Sequence, residues 1–195
     1  AGTFTVLTAL LCGAALVKDE ARITLEGAPD KPGISHQLFS RIAEKKIAVD
    51  MIVQNVGAEG RANISFTVPR EELADALAAT QEVAAEVGAQ RVTSDDQVAK
   101  VSVVGLGMAQ QTGVAKKLFR ALADAGVNIQ AITTSEIKIS TLVSREQASI
   151  ALRAAHAAFT LDKEPADAGK ADETTERHGT AADIVRRLQG MEGLS

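Results

Sequence analysis

Apolar residues recur at helical spacing in four stretches of this chain, and shorter apolar or alternating runs lie between them. The helical sets are Ile34, Leu38 and Ile42; Leu73, Leu77, Val83 and Val87; Val114, Leu118 and Leu122; and Ala148, Leu152 and Phe159. "ARITLEG" (21–27) and "KVSVVGLG" (100–107) are β-rich runs that end in glycine ahead of the first and third helices. Two pairs of strand candidates joined by short turns follow those helices: "IAVDMIVQNV" (47–56) with "ANISFTVP" (62–69), and "VNIQAITTSE" (127–136) with "KISTLV" (138–143). After the second helix, "AQRVTSDDQ" (89–97) predicts a strand and a polar linker. The most apolar run, "FTVLTALLCGAALV" (4–17), is shorter than the roughly 20 residues of a membrane helix. It also lacks the basic residues that precede a signal peptide's apolar core, so it reads as a buried strand or two.

The pattern occurs twice. Laying residues 27–39 over 107–119 matches Gly27 with Gly107, Gly33 with Gly113, Leu38 with Leu118 and Phe39 with Phe119, at a constant shift of 80. The same shift holds for Ala43/Ala123, Ile47/Val127, Val49/Ile129 and Ile52/Ile132. The first copy then carries extra residues around "GAEGR", and matching resumes at a smaller shift with Ile64/Ile139, Ser65/Ser140, Val68/Val143, Arg70/Arg145 and Glu71/Glu146. Two copies of one module explain this ordered series. Each reads βαββαβ, so the expected fold class is α+β: two ferredoxin-like domains, each a sheet with helices on one face. The second copy lacks a closing strand of its own, and "CGAALV" (12–17) has no place in the first. Residues 1–19 are therefore expected to complete the second domain (95–161), with the first (20–94) inserted in it. Residues 162–195 read as a charged linker and the start of a further helix.

Composition narrows the function. A net charge of −4 offers no basic footprint for nucleic acid or anionic lipid. An RNA-binding sheet of this type needs strand aromatics, and Phe66 stands alone. The single cysteine, Cys12, excludes an internal disulfide, fits a reducing compartment and reads as a small buried hydrophobe. A soluble, cytoplasmic protein is expected. His36, His156 and His178 are scattered without ligand-spaced partners, so no metal site or catalytic base is expected. "GLGM" lacks the third glycine and the downstream acid of a dinucleotide fingerprint. An acyl-phosphate hydrolase would need an arginine in its phosphate loop, for which Lys31 is a weak substitute.

One stretch carries dense turn chemistry. In "GAPDKPGISHQLF" (27–39), Asp30 can cap the helix, Pro32 suits its first turn, and Gly33 leaves the backbone open to a ligand. Unpaired N–H groups and the positive end of the helix dipole attract a carboxylate or phosphate there. A well-made turn alone also accounts for this stretch.

"GAPDKPGISHQLFSRIAEKKIAVDMIVQNV", "SDDQVAKVSVVGLGM" and "GVNIQAITTSEIKISTLV" resemble the regulatory region of aspartate kinases, a tandem pair of ACT domains. The likeness covers most of residues 12–160, in order. It implies allosteric feedback control of the first step of the aspartate pathway, which leads to lysine, threonine and methionine. The kinase's own phosphate motif does not occur here, which implies a non-catalytic chain: a separate small subunit, or a segment of a longer enzyme. "ADIVRRLQGMEGLS" resembles the lead-in to a further ACT pair and favours the segment. The resemblance places a threonine-type site at Asp30, Gly33, Ser35 and Gln54 of the first module with Asn128 and Ile129 of the second. A lysine-type site would take Met108, Thr134, Ser135 and Glu136, with Asp50 from the other module. Expected partners are threonine and/or lysine, an aspartate kinase catalytic domain or subunit, and a second copy of the chain through the ACT domains, with no cofactor, nucleic acid or membrane. The alternative is a tandem-ACT sensor that regulates a different partner protein. Read without the family, Asp30 is an N-cap, Gln54 an ordinary strand-end polar, Asn128 a turn residue, and Ser135 with Glu136 a solvated strand end.

Overall fold

Twenty consecutive residues, Leu10–Pro29, form a single strand, β1, in the computed structural model, which describes residues 10–106 and 113–159. The elements that follow are α1 (Ile34–Glu44), β2 (Ile52–Val56), β3 (Arg61–Pro69), α2 (Leu73–Val87) and β4 (Arg91–Leu106). The second set is α3 (Val114–Asp124), β5 (Ile129–Thr134), β6 (Lys138–Ser144) and α4 (Ala148–Phe159). One antiparallel sheet holds all six strands in the order β2-β3-β1-β4-β6-β5. No described helix is long and apolar enough to cross a membrane.

The two long strands, β1 and β4, are the spine that both modules share. Glu20–Pro29 of β1 pairs with β3, whereas Leu10–Val17 pairs only with the distal part of β4, from Lys100 to Leu106. The near part of β4, from Arg91 to Asp95, closes the sheet of the first module. Register shifts near Val17, Glu20 and Arg22 mark the passage from one module to the other.

Alternation along each strand decides which face meets the helices. Ile23 and Leu25 of β1, with Ile64, Phe66 and Val68 of β3, are buried against Leu38 and Ile42 of α1 and Ala76, Ala79 and Val83 of α2. In the second module Val101, Val103, Ile139 and Val143 meet Val114, Leu118 and Leu122 of α3 and Ala151 and Ala155 of α4. Thus two cores form, both of α+β ferredoxin-like type. A third, smaller cluster lies on the other face: Met51, just before β2, packs against Val98, Leu142 and Ala131. Through it the two modules meet, and β2 comes into contact with β5 although they are opposite edges of the sheet.

The structure differs from the sequence reading in three places. "SDDQ" belongs to β4 and is no linker: Asp95 is held by Arg22 (3.4 Å), and Asp96 by Arg70 (2.8 Å). "IAVDM" precedes the regular strand, because the Met51 N–H donates to the Thr67 hydroxyl at 3.2 Å. Asp30 does not cap α1; Gly33 is the N-cap, with φ of 97°.

Candidate functional site

Gly33 ends its turn in the left-handed region, which a side chain disfavours. No atom would crowd a Cβ there, so the backbone angle and not close packing calls for glycine. Gly113 repeats the geometry in the second module with φ of 110°. The Asp30 N–H donates to the Gly60 carbonyl at 2.8 Å and the Gln37 N–H to the Gly33 carbonyl at 2.9 Å. The N–H groups of Ser35 and His36 donate to no carbonyl among the described residues. They are the orphan donors of a helix start, aimed with the positive end of the helix dipole.

Beside them, Ser35 Oγ donates to Gln54 Oε1 at 2.8 Å. That bond joins the start of α1 to the outer strand β2 and brings Ser35 and Gln54 into one surface with Asp30 and Gly33. Asp30, Gly33 and Gln54 are exposed, as a contact site for a small ligand requires. Asn128 is exposed just before β5, and Ile129 packs against the second core while pairing with Val143. No hydrogen bond among the described residues links this pair to the first-module set.

The lysine-type residues fall differently. Met108 lies outside the described residues. Thr134 closes β5 opposite Ile139. Ser135 is engaged in the turn to β6: its N–H donates to the Lys138 carbonyl at 2.7 Å, and its Oγ accepts from the Lys138 N–H at 3.1 Å. Glu136 is exposed in that turn. Asp50 is not joined to them by any described hydrogen bond or ion pair. Its carboxylate accepts instead from Lys100 Nζ, which also donates to Glu20 Oε1.

Sequence reasoning missed Glu20 and Lys100. Both are buried, and burial pushes the Lys100 pKa down. Hydrogen bonds to Asp50 and Glu20 outweigh that and hold it above the ordinary lysine value. The two positions are separated by 80 residues, the shift of the repeat, so each is the other's counterpart. The available signal was Lys100, a charge inside the largely apolar run 98–104, whereas Glu20 stands in the charged stretch 18–22 and gave none. Among the described residues no group of three or more His, Cys, Asp or Glu gathers closely enough to hold a metal ion.

Known proteins place the chain in context. A model of the ACT domain family matches residues 23–83 and 101–159. Aspartate kinase Ask_LysC of Stutzerimonas stutzeri is 43% identical over 153 residues, 78% of this chain and 37% of that protein. The chain thus spans little more than a third of such relatives. The regulatory subunit of aspartate kinase from Thermus thermophilus, in its ligand-free form, superposes with a TM-score of 0.72 at 44% identity, over 76% of this chain and 98% of that one. A structure of aspartokinase alpha and beta subunits gives the same TM-score at 45% identity, covering 77% of this chain and 99% of that one.

Proposed function

Because the chain belongs to the ACT-domain regulatory part of the aspartate kinases, we propose that it is an amino-acid sensor binding threonine and/or lysine for feedback inhibition of an aspartate kinase. The observation that carries this reading is the Ser35–Gln54 hydrogen bond beside the unpaired N–H groups at the start of α1. A zwitterion needs donors for its carboxylate, an acid or carbonyl for its ammonium and a selective wall for its side chain. The Ser35 and His36 N–H groups serve the carboxylate. Asp30 serves the ammonium. The amides of Gln54 and Asn128, with Gly33 and Ile129, enclose a short hydroxyl side chain such as that of threonine.

Lysine is the second ligand, with Asp50 and Glu136 as carboxylates for its ε-ammonium and Met108, Thr134 and Ser135 completing its site. The contact between β2 and β5 supports sites shared between modules. The pairing of Leu10–Val17 with β4 supports a first ACT domain (20–94) inserted in a second (1–19 and 95–161).

Inhibition follows from linkage. The effector binds more tightly to the inhibited arrangement of paired ACT domains and shifts the population toward it. A coupling of about 1–3 kcal/mol changes apparent affinity roughly 5–150-fold. The solved alpha and beta subunits of a 45%-identical relative support a catalytic partner for this chain. A second copy, paired through the ACT domains, and a cytoplasmic location complete the reading.

Titration calorimetry on the 195-residue chain tests it. Threonine, lysine or the two together should release or absorb heat at millimolar concentration, and Gln54→Ala or Asn128→Ala should weaken the threonine response. Absence of heat from either amino acid, singly or combined, overturns the proposal.

A further inference from the structure

Asp50, the carboxylate assigned to an effector ammonium, already holds an ammonium belonging to the chain itself. Lys100 Nζ bridges Asp50 and Glu20. The side chains of Lys100 and Glu20 are 10% and 8% exposed, whereas that of Asp50 is 44% exposed. The second oxygen of Glu20, Oε2, is buried and accepts no hydrogen bond from the described residues. An unpaired buried acceptor of this kind costs free energy until a donor reaches it. A cavity of about 320 Å³ borders Glu20 and Asp50 and is walled by Val17, Val49, Thr67 and Pro69.

The cluster is also one positive charge short. Two carboxylates, Glu20 and Asp50, share the single ammonium of Lys100. The arginines around it are engaged by acids of their own: Arg22 with Asp95, Arg70 with Asp96, and Arg145 with Asp19.

We propose that Lys100 is an internal ammonium that occupies Asp50 until an effector's ammonium replaces it, and that Lys100 then moves onto both oxygens of Glu20. This rests on the reading of Asp50 as an effector contact. The incoming group approaches through the cavity, and Glu20 Oε2 is the vacant acceptor that receives Lys100. An ammonium on a flexible four-carbon stem carries three donors, so the exchange asks for side-chain rotation and no backbone change. Afterwards each carboxylate has a cation of its own. Glu20 lies on β1 and Lys100 on β4, the two strands that pass through both modules, so the exchange tightens a contact within the shared spine as it releases the spine's contact with Asp50, which precedes β2. It also sets selectivity: an apolar side chain of the same length supplies no charge to take Lys100's place.

Calorimetric titration of the whole chain with lysine tests this, with norleucine as the probe that keeps the stem and lacks the ε-ammonium. Glu20→Gln removes the receiving charge and leaves Lys100 to Asp50 alone, so lysine affinity falls about tenfold. Lys100→Met combined with Glu20→Gln removes the competitor with its counter-ion, and lysine binds about tenfold more tightly than to the unaltered chain. Norleucine responds alike in all three. If both variants bind lysine as the unaltered chain does while Asp50→Asn weakens it, the exchange is wrong and the Asp50 contact stands. If Asp50→Asn changes nothing, or the unaltered chain binds no lysine, the Asp50 reading falls and the exchange with it. A measurement on the unaltered chain guards against misfolded variants: the Glu20 carboxyl carbon resonance should move as lysine saturates the protein, and a resonance that stays in place overturns the exchange.

Discussion

Ser35 Oγ and Gln54 Oε1 lie 2.8 Å apart, in a hydrogen bond that fastens the first turn of α1 to the outer strand β2. The bond orients the Gln54 amide, and with Oε1 engaged by Ser35, the amide NH2 is left to face a ligand. Since neither partner is buried, its value is in positioning and not in stability.

Ser35→Ala should therefore weaken threonine binding about tenfold, because Gln54 loses the donor that fixes its rotamer. The melting temperature should stay within about 2 °C of the unaltered chain. Calorimetry and a thermal melt on the same sample separate the two effects. A large drop in melting temperature with unchanged affinity would assign the bond to the fold instead.

Leu38 and Leu118 are repeat counterparts, both fully buried, one in each core. Leu38→Ala and Leu118→Ala should each cost about 2–5 kcal/mol. Because β1 and β4 belong to both cores, each variant should still melt in one transition. Two separated transitions in either variant would show that the modules unfold independently.

Much of this was legible in the sequence, and the exceptions share a cause. The helices are spelled by their own periodicity: Leu38 with Ile42 and Leu118 with Leu122 mark buried faces that the structure reproduces. The glycines at 33 and 113 mark positive φ in both copies. The continuity of β4 was hidden because Asp95 and Asp96 look like linker residues in isolation. They stay in a strand because that stretch pairs with β1, Asp95 opposite Arg22 and Val98 opposite Glu20, and the Arg22 and Arg70 side chains reach the two carboxylates from 73 and 26 residues away. Long-range pairing leaves no local pattern. The same holds at Glu20 and Lys100, whose burial depends on a partner 80 residues distant. At the candidate site the helix entrance was legible from its turn residues, whereas the true cap was not: Pro29 to Gly33 form the turn, and the helix starts only after Gly33.

The repeat itself supplies a stabilising substitution. Lys46 follows the C-cap of α1 with φ of 61°, and its counterpart Gly126 has φ of 71°; each N–H donates to the carbonyl three residues back, Ala43 and Ala123. A lysine in that region is strained where glycine is not. Lys46→Gly should raise stability by about 0.5–1 kcal/mol, less the greater freedom that glycine gives the unfolded chain. Chemical denaturation reads it, and a loss of stability would contradict the assignment of strain.

Lys100 gives the chain an alkaline dependence. Its pKa is raised in the folded state, so its ion pairs stabilise fully below the unfolded lysine value of 10.5. That contribution is lost as pH climbs above 10.5 and through the folded value. The stability difference between the unaltered chain and Lys100→Met combined with Glu20→Gln should stay constant up to about pH 10 and then move against the unaltered chain. Urea unfolding at a series of pH values measures it, and a difference that moves the other way would contradict the bridge.

The central claim is that one amino acid is held by both modules at once. Amide-detected NMR titration with threonine tests it most directly, by following the side-chain NH2 groups of Gln54 and Asn128 in the same spectra. The account predicts that both move along one saturation curve with one dissociation constant. Movement of Gln54 alone, or of neither group while the chain remains folded, would contradict it.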